Sequence, residues 1–216
     1  MKSKNLFLSY IIFFTSLNII ANDEVTIDLG DINNECKDIT RETLTERYYS
    51  NSFVGTFNGK RIEYTASLKE KIIYEKDDPN LPMASFFYTE YISKDSDQRP
   101  IIFSFNGGPG SASLWLHMGV LGPKVIKVPS DASDDGSPPY NIIDNKLSPL
   151  SDADLVFIDP IGTGYSRAIG CHEGEEFWGV SEDPKIIAEF IRRWITDNKR
   201  WNSPRYILGE SYGGIR

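Results

Sequence analysis

The chain has 216 residues, 40% of them hydrophobic, with a formal net charge of -8. That length and apolar content suffice for a substantial buried core. The acidic balance and the lack of a basic stripe argue against non-specific nucleic-acid binding.

In chain order, Lys2 and Lys4 precede an apolar run from Leu6 to Ile20 that ends at Ala21. This predicts a secretory signal peptide over residues 1–21. Ile19 occupies a place where cleavage prefers a small residue, so an uncleaved membrane anchor is the alternative, although the run is short for a span. The mature chain, residues 22–216, is expected to be secreted or periplasmic, with no stable membrane insertion once the leader is removed. Residues 22 to about 50 are polar and read as a mobile arm or a first short helix. Thr56 to Tyr64 reads as two strands around Asn58-Gly59, the strongest short hairpin cue. Lys71–Tyr74 and Ala84–Ile92 continue an antiparallel meander, and residues 129–139 form a surface loop by composition.

Ile101–Phe105 and Leu155–Ile158 are short continuous apolar runs, the pattern of strands buried on both faces of a parallel sheet. A helix is predicted after Gly110, burying Leu114, Trp115 and Met118, with its positive end toward the preceding glycine loop. A longer helix is predicted from Pro184 to Asn198, capped by Asp183. Ile186, Ile187, Phe190, Ile191, Trp194 and Ile195 form its apolar face. Two cysteines, Cys36 and Cys171, are too few for a disulfide framework. In an exported chain they could pair with each other, and neither spacing suggests a metal site.

Two glycine-rich segments carry the chemistry. Tyr206-Ile207-Leu208 leads into Gly209-Glu210-Ser211-Tyr212-Gly213, a G-x-S-x-G pattern. Such a pattern turns a strand sharply into a helix and lifts a serine hydroxyl above the sheet. Ser211 is therefore the candidate nucleophile. Asn106-Gly107-Gly108-Pro109-Gly110 leaves the Ile101–Phe105 strand. The backbone N–H groups of Gly108 and Tyr212 are candidate oxyanion donors. Fixed donors of this kind can contribute several kcal/mol because they need no reorganisation during reaction. His117 and His172 both precede Ser211 and so break the order Ser, Asp or Glu, His that this kind of site follows. Asp159, at a strand end, could tempt as a triad acid.

Three segments together resemble the serine carboxypeptidase family, with a bacterial-type member in view. They are NGGPGSASLWLHMGVLGP at 106–123, VFIDPIGTGYSR at 156–167 and the segment at 209–213. The resemblance spans roughly residues 50–216 and corresponds to the N-terminal portion of such an enzyme. It implies an α/β-hydrolase fold whose mixed sheet begins with antiparallel strands. It also implies removal of C-terminal residues from peptides through an acyl-enzyme, with no metal or organic cofactor. By that resemblance Ser211 is the nucleophile, and Gly108 and Tyr212 are the oxyanion donors. Asn106, Gly107 and Glu210 bind the substrate carboxylate, Glu210 as a buried, protonated acid. The family often carries a second Glu before the closing Gly-Pro, where this chain has Val120, and a Cys where it has Ser111. Esterase, aminopeptidase-like or broader acyl-transfer activity stays open, as does a non-catalytic peptide-binding role. The Asp and His partners are expected outside this sequence, so the 216-residue chain is expected to be nearly inactive alone. Oligomeric state and side-chain preference are not indicated.

Overall fold

Residues 48–93 build an antiparallel meander of three long strands. In the computed structural model, which describes residues 39–95, 98–127, 131 and 138–216, these are β1 (Tyr48–Phe57), β2 (Lys60–Tyr74) and β3 (Pro82–Ser93). Asn58 and Gly59 both take positive φ, 48° and 78°, so the predicted hairpin turns where expected. The described residues belong to one compact unit, Glu35–Arg216. The predicted leader and Cys36 lie outside the described residues, as does most of the 129–139 loop. Strand β1 begins at Tyr48, earlier than the polar reading of residues 22–50 allowed. Its residues are mostly exposed because it is an edge strand, so its polar composition conflicts with nothing.

The chain then enters β4 (Ile101–Phe105) and a single α-helical turn, α1 (Leu114–Leu116), that runs into a π-helical turn over His117–Leu121. A small ribbon follows, β5 (Lys124–Ile126) against β6 (Ile142–Asp144). Next come β7 (Asp154–Ile158), the short β8 (Arg167–Ala168), α2 (Glu182–Asp197), β9 (Arg205–Gly209) and α3 (Tyr212–Ile215). The main sheet runs β1-β2-β3-β7-β4-β9, with β8 also on β3. Strand β4 lies parallel to both β7 and β9, and the rest of the pairing is antiparallel. This is the predicted mixed sheet, antiparallel first, consistent with an α/β-hydrolase fold.

Every residue of β7 and all but one of β4 are buried, as their unbroken apolar runs predicted. Helix α2 covers one face of these strands. Trp194 stands edge-on to Phe103 at 5.3 Å between ring centres, and Phe190 sits 5.0 Å from both Phe86 and Tyr88. Such aromatic pairs stabilise beyond their area alone. The indole N–H of Trp194 donates to the buried Glu90, 2.8 Å away, whose other oxygen pairs with Lys69 at 2.6 Å.

At the amino end of the parallel strands, Asp154 is fully buried. Its carboxylate accepts from Arg200 at 2.8 Å, Arg99 at 3.4 Å and the Ser93 amide at 2.9 Å. The guanidinium of Arg200 also donates to Ser203 Oγ and the Arg99 carbonyl, each at 2.7 Å. A buried charge is tolerable only when it is paired and its remaining hydrogen-bonding capacity is met, which is the case here.

Three local expectations need correction. Helix α2 starts two residues early, at Glu182, with Ser181 at the N-cap and no side-chain cap bond. Asp183 does not cap it, because that carboxylate is engaged by Arg216. The predicted helix after Gly110 shrinks to one α-turn, too short to present a macrodipole. Leu114 and Trp115 are exposed and Leu116 is buried instead. Ser113 fixes that phase: its amide donates to Asp159 at 2.8 Å and its hydroxyl to the Ile158 carbonyl, which turns Leu116 inward.

Candidate active site

The site stands at the carboxyl end of β4 and β9, where both strands give way to glycine-containing turns. At the end of β9 the chain reverses through Ser211 with φ 56° and ψ -122°, then enters α3. Non-glycine residues rarely occupy such a conformation, and they keep it only where the surroundings over-determine it. Here the surroundings are backbone. A Cβ on Gly209 would fall 2.1 Å from the Gly213 carbonyl oxygen, and one on Gly213 would fall 2.8 Å from that of Phe105. Both glycines of G-x-S-x-G are thus sterically required. Ser211 itself is exposed, in keeping with a hydroxyl lifted above the sheet.

The glycine loop is packed directly on this turn. A Cβ on Gly107 would lie 2.5 Å from the Tyr212 nitrogen and 2.6 Å from the Glu210 carbonyl oxygen. Gly108 follows at φ 105° and Gly110 at φ 101°, conformations that favour glycine. The two candidate oxyanion donors, Gly108 and Tyr212, therefore belong to segments in van der Waals contact. Asn106 is buried at the junction. Its Nδ2 donates to Glu210 at 3.1 Å, and its Oδ1 accepts from the Leu116 amide at 3.0 Å. So Asn106, Gly107, Gly108, Glu210, Ser211 and Tyr212, all singled out in the sequence, meet in one place.

Glu210 departs from expectation in one respect. Its side chain is exposed, not buried. It sits on the turn beyond β9, the outer strand of the sheet, where Tyr206 and Ile207 are also exposed. Val120 lies on the π-helical turn with 59% of its surface exposed, and its carbonyl accepts from Asn145 Nδ2 at 2.7 Å. Its isopropyl group supplies no acid there.

Around the site, Asp159 accepts from the Ser113 amide through its carboxylate. Burial raises its carboxyl above the ordinary range, and the Ser113 amide offsets part of that. Gly164 must be glycine because a Cβ would meet Asp159 Oδ2 at 2.0 Å. Ser166 Oγ donates to the Asp159 carbonyl at 2.7 Å and accepts from the Phe87 amide at 2.8 Å.

Both histidines are engaged by other partners. The His117 ring is stacked on Phe157 at 4.7 Å, with Nε2 2.6 Å from the Tyr91 hydroxyl. Burial lowers its pKa to about 4. His172 bridges Glu176 at 2.8 Å and Glu75 at 2.9 Å. Burial works against its charge, but the two carboxylates outweigh burial and raise its pKa. Cys171, beside it, is disulfide-bonded.

Sequence reasoning missed Arg216 and the true role of Asp183. The Arg216 Nε lies 2.8 and 2.7 Å from the two Asp183 oxygens, and its Nη1 donates to the Asn106 carbonyl at 2.5 Å. Both side chains are almost completely buried. Burial raises the Asp183 carboxyl, and Arg216 partly offsets that. A carboxylate in a helix's first turn reads first as a cap, so no local signal pointed to this pair. Among the described residues no group of three or more His, Cys, Asp or Glu could hold a metal, and no helix is long and apolar enough to cross a membrane.

Residues 74–216 match the serine carboxypeptidase family. The chain belongs to that family. Serine carboxypeptidase-like 9 of Arabidopsis thaliana is 28% identical over 132 residues, covering 60% of this chain and 29% of the relative. Serine carboxypeptidase-like 5 and serine carboxypeptidase-like 12 of the same plant are 27% identical over 134 residues and 28% identical over 146. The chain thus spans about 29 to 31% of the length of these relatives. As plant proteins, they lend no support to a bacterial-type placement. Members of the family are hydrolases that act on peptides.

Proposed function

We propose that this chain is the nucleophile-bearing portion of an exported serine-type carboxypeptidase. The observation that carries the reading is the contact between the Gly107–Gly108 loop and the amide side of the Ser211 turn, with Asn106 bonded to Glu210 above it. In this reading Ser211 Oγ attacks the carbonyl of the last peptide bond. The N–H groups of Gly108 and Tyr212 stabilise the oxyanion, and an acyl-enzyme forms and is hydrolysed by water. Asn106, the Gly107 N–H and the Glu210 side chain receive the free terminal carboxylate. His117 is sealed against Phe157 and His172 is held between two glutamates. The reading therefore assigns the general base and its orienting acid to sequence outside these 216 residues. Loss of both typically costs several orders of magnitude in rate, so the 216-residue chain alone is expected to hydrolyse peptides negligibly.

The test uses enzyme made from the gene with its downstream sequence. Release of C-terminal residues is expected to vanish in Ser211→Ala and to fail on C-terminally amidated peptides. Equal cleavage of free and amidated peptides would remove the carboxylate-reading role. Unchanged activity in Ser211→Ala would remove the nucleophile. Val120 favours a second reading, an esterase on the same fold, because Glu210 has no second acid at that place. A kcat/KM for esters that exceeds that for matched peptides and ignores a free carboxylate would select it.

A further inference from the structure

Arg216 projects from the end of α3, immediately after the Ser211 turn, yet its side chain is 2% exposed. It reaches three separate parts of the site. Its Nε engages both oxygens of Asp183 in the first turn of α2, and its Nη1 holds the carbonyl of Asn106, the first residue of the glycine loop. Its guanidinium lies 5.5 Å from the Phe105 ring centre and 5.3 Å from that of Tyr212, inside cation–π range. The planar fork of arginine permits this combination, which the point charge of lysine does not reproduce. Beside the ion pair is a cavity of about 260 Å³ whose wall includes Pro109 and Gly110 of the glycine loop and Trp178.

We propose that Arg216 is a positioning residue that clamps the glycine loop to the nucleophile turn, and that Asp183 fixes Arg216 in that pose. Arg216 touches neither substrate nor Ser211 Oγ in this scheme. It sets the spacing between the Gly108 and Tyr212 donors by holding Asn106 to α3. The kinetic part of the proposal rests on the hydrolase reading above, and the structural part does not.

Two measurements test it. The first is hydrogen exchange in the 216-residue chain, wild type against Arg216→Ala, Arg216→Lys and Asp183→Asn. Faster exchange is expected in peptides covering 106–113 and 209–214, with β3 and β7 unchanged. Uniform acceleration, or none, in variants that remain folded overturns the clamp. The second is kinetics of the enzyme made with its downstream sequence. A misplacement of about 1 Å in a catalytic constellation costs roughly 100-fold in rate. Arg216→Ala is expected to lose kcat on that scale with KM nearly unchanged. Guanidinium ion entering the vacated space should restore part of it, and Arg216→Lys should not. An unchanged kcat in a folded Arg216→Ala enzyme overturns the positioning role. If the wild-type enzyme shows no Ser211-dependent hydrolysis, the hydrolase reading fails, and the exchange result alone decides the clamp.

Discussion

The two ends of the central parallel strands use the same chemistry to opposite effect. At the amino end, buried Asp154 is held by two arginines and a backbone amide, each a neighbour within the sheet and its flanking turns. At the carboxyl end another buried arginine–aspartate pair, Arg216 with Asp183, joins three separate pieces: a glycine loop, a strained turn and a helix start. The first closes a structure and the second shapes one. What distinguishes them is the surrounding backbone. Asp154 itself opens a regular strand, and a single positive φ, at Lys199, precedes its partner Arg200. Around Ser211 the backbone runs through positive φ at Gly108, Gly110 and Ser211 itself.

The sharpest way to break the contrast is Asp154→Ala. Leaving Arg200 buried without its partner should destabilise the chain by about 3–5 kcal/mol, read as a drop in the urea midpoint. The Ser211 turn should keep its exchange protection in whatever fraction stays folded. A loss below about 1 kcal/mol would mean that the amino end is not the staple described.

Next in size is an acid limb set by His117. Its folded pKa of about 4 lies below its ordinary 6.5, so the unfolded chain binds the extra proton in between. Stability is then full above pH 6.5 and falls as pH drops toward 4, by about 3 kcal/mol in total. His117→Phe should flatten that limb in urea titrations at several pH values. A limb of unchanged slope would show that the ring is not the cause. His172 carries the opposite sign. Its raised pKa gives stability that is complete below pH 6.5 and lost as pH rises through the folded value.

Gly107→Ala comes third. The new methyl would meet backbone atoms at 2.5–2.8 Å, and the loop must move away from Tyr212. A destabilisation of about 1–3 kcal/mol is expected, with a disproportionate loss of any Ser211-dependent turnover. A neutral result on both counts would show that the loop and the turn are not in contact in solution. Smaller still is Ser211→Gly. Glycine accepts φ 56° without a Cβ penalty, so this variant should be more stable by roughly 0.5–1 kcal/mol while losing the proposed nucleophile. A less stable Ser211→Gly would contradict the strain. The smallest effect is His172→Ala. Because Glu176 and Glu75 are partly exposed, it should cost under about 1 kcal/mol, and only below the raised folded pKa of His172.

Those sites differ in how far the sequence revealed them. The Asn58-Gly59 hairpin, the unbroken apolar strands and both glycine segments were legible because each rests on a local backbone demand that restricts residue choice. Arg216 and Asp183 were not legible, because their meaning depends on partners 33 residues apart in sequence, and the Arg216–Asn106 contact spans 110. The Asp154 network is hidden for the same reason, with Arg200 lying 46 residues away. Leu114 and Trp115 misled because a periodic apolar pattern gives a helix's face but not its phase, which Ser113 sets through Asp159 and Ile158. Glu210 misled because its exposure depends on what lies beside β9, and residue type does not say that.

The bond between Asn106 and Glu210 joins positions 104 residues apart. Closing a loop of that length carries an entropic penalty that local turns escape, and it must be met before the contact returns anything. A ribosome making this chain would therefore finish the β1–β3 meander long before the serine turn existed to receive the glycine loop. During that interval the loop has no partner. The junction of the glycine loop with the serine turn thus forms late in such a chain, and a slowly translated stretch between β4 and β9 would lengthen the loop's wait for its partner.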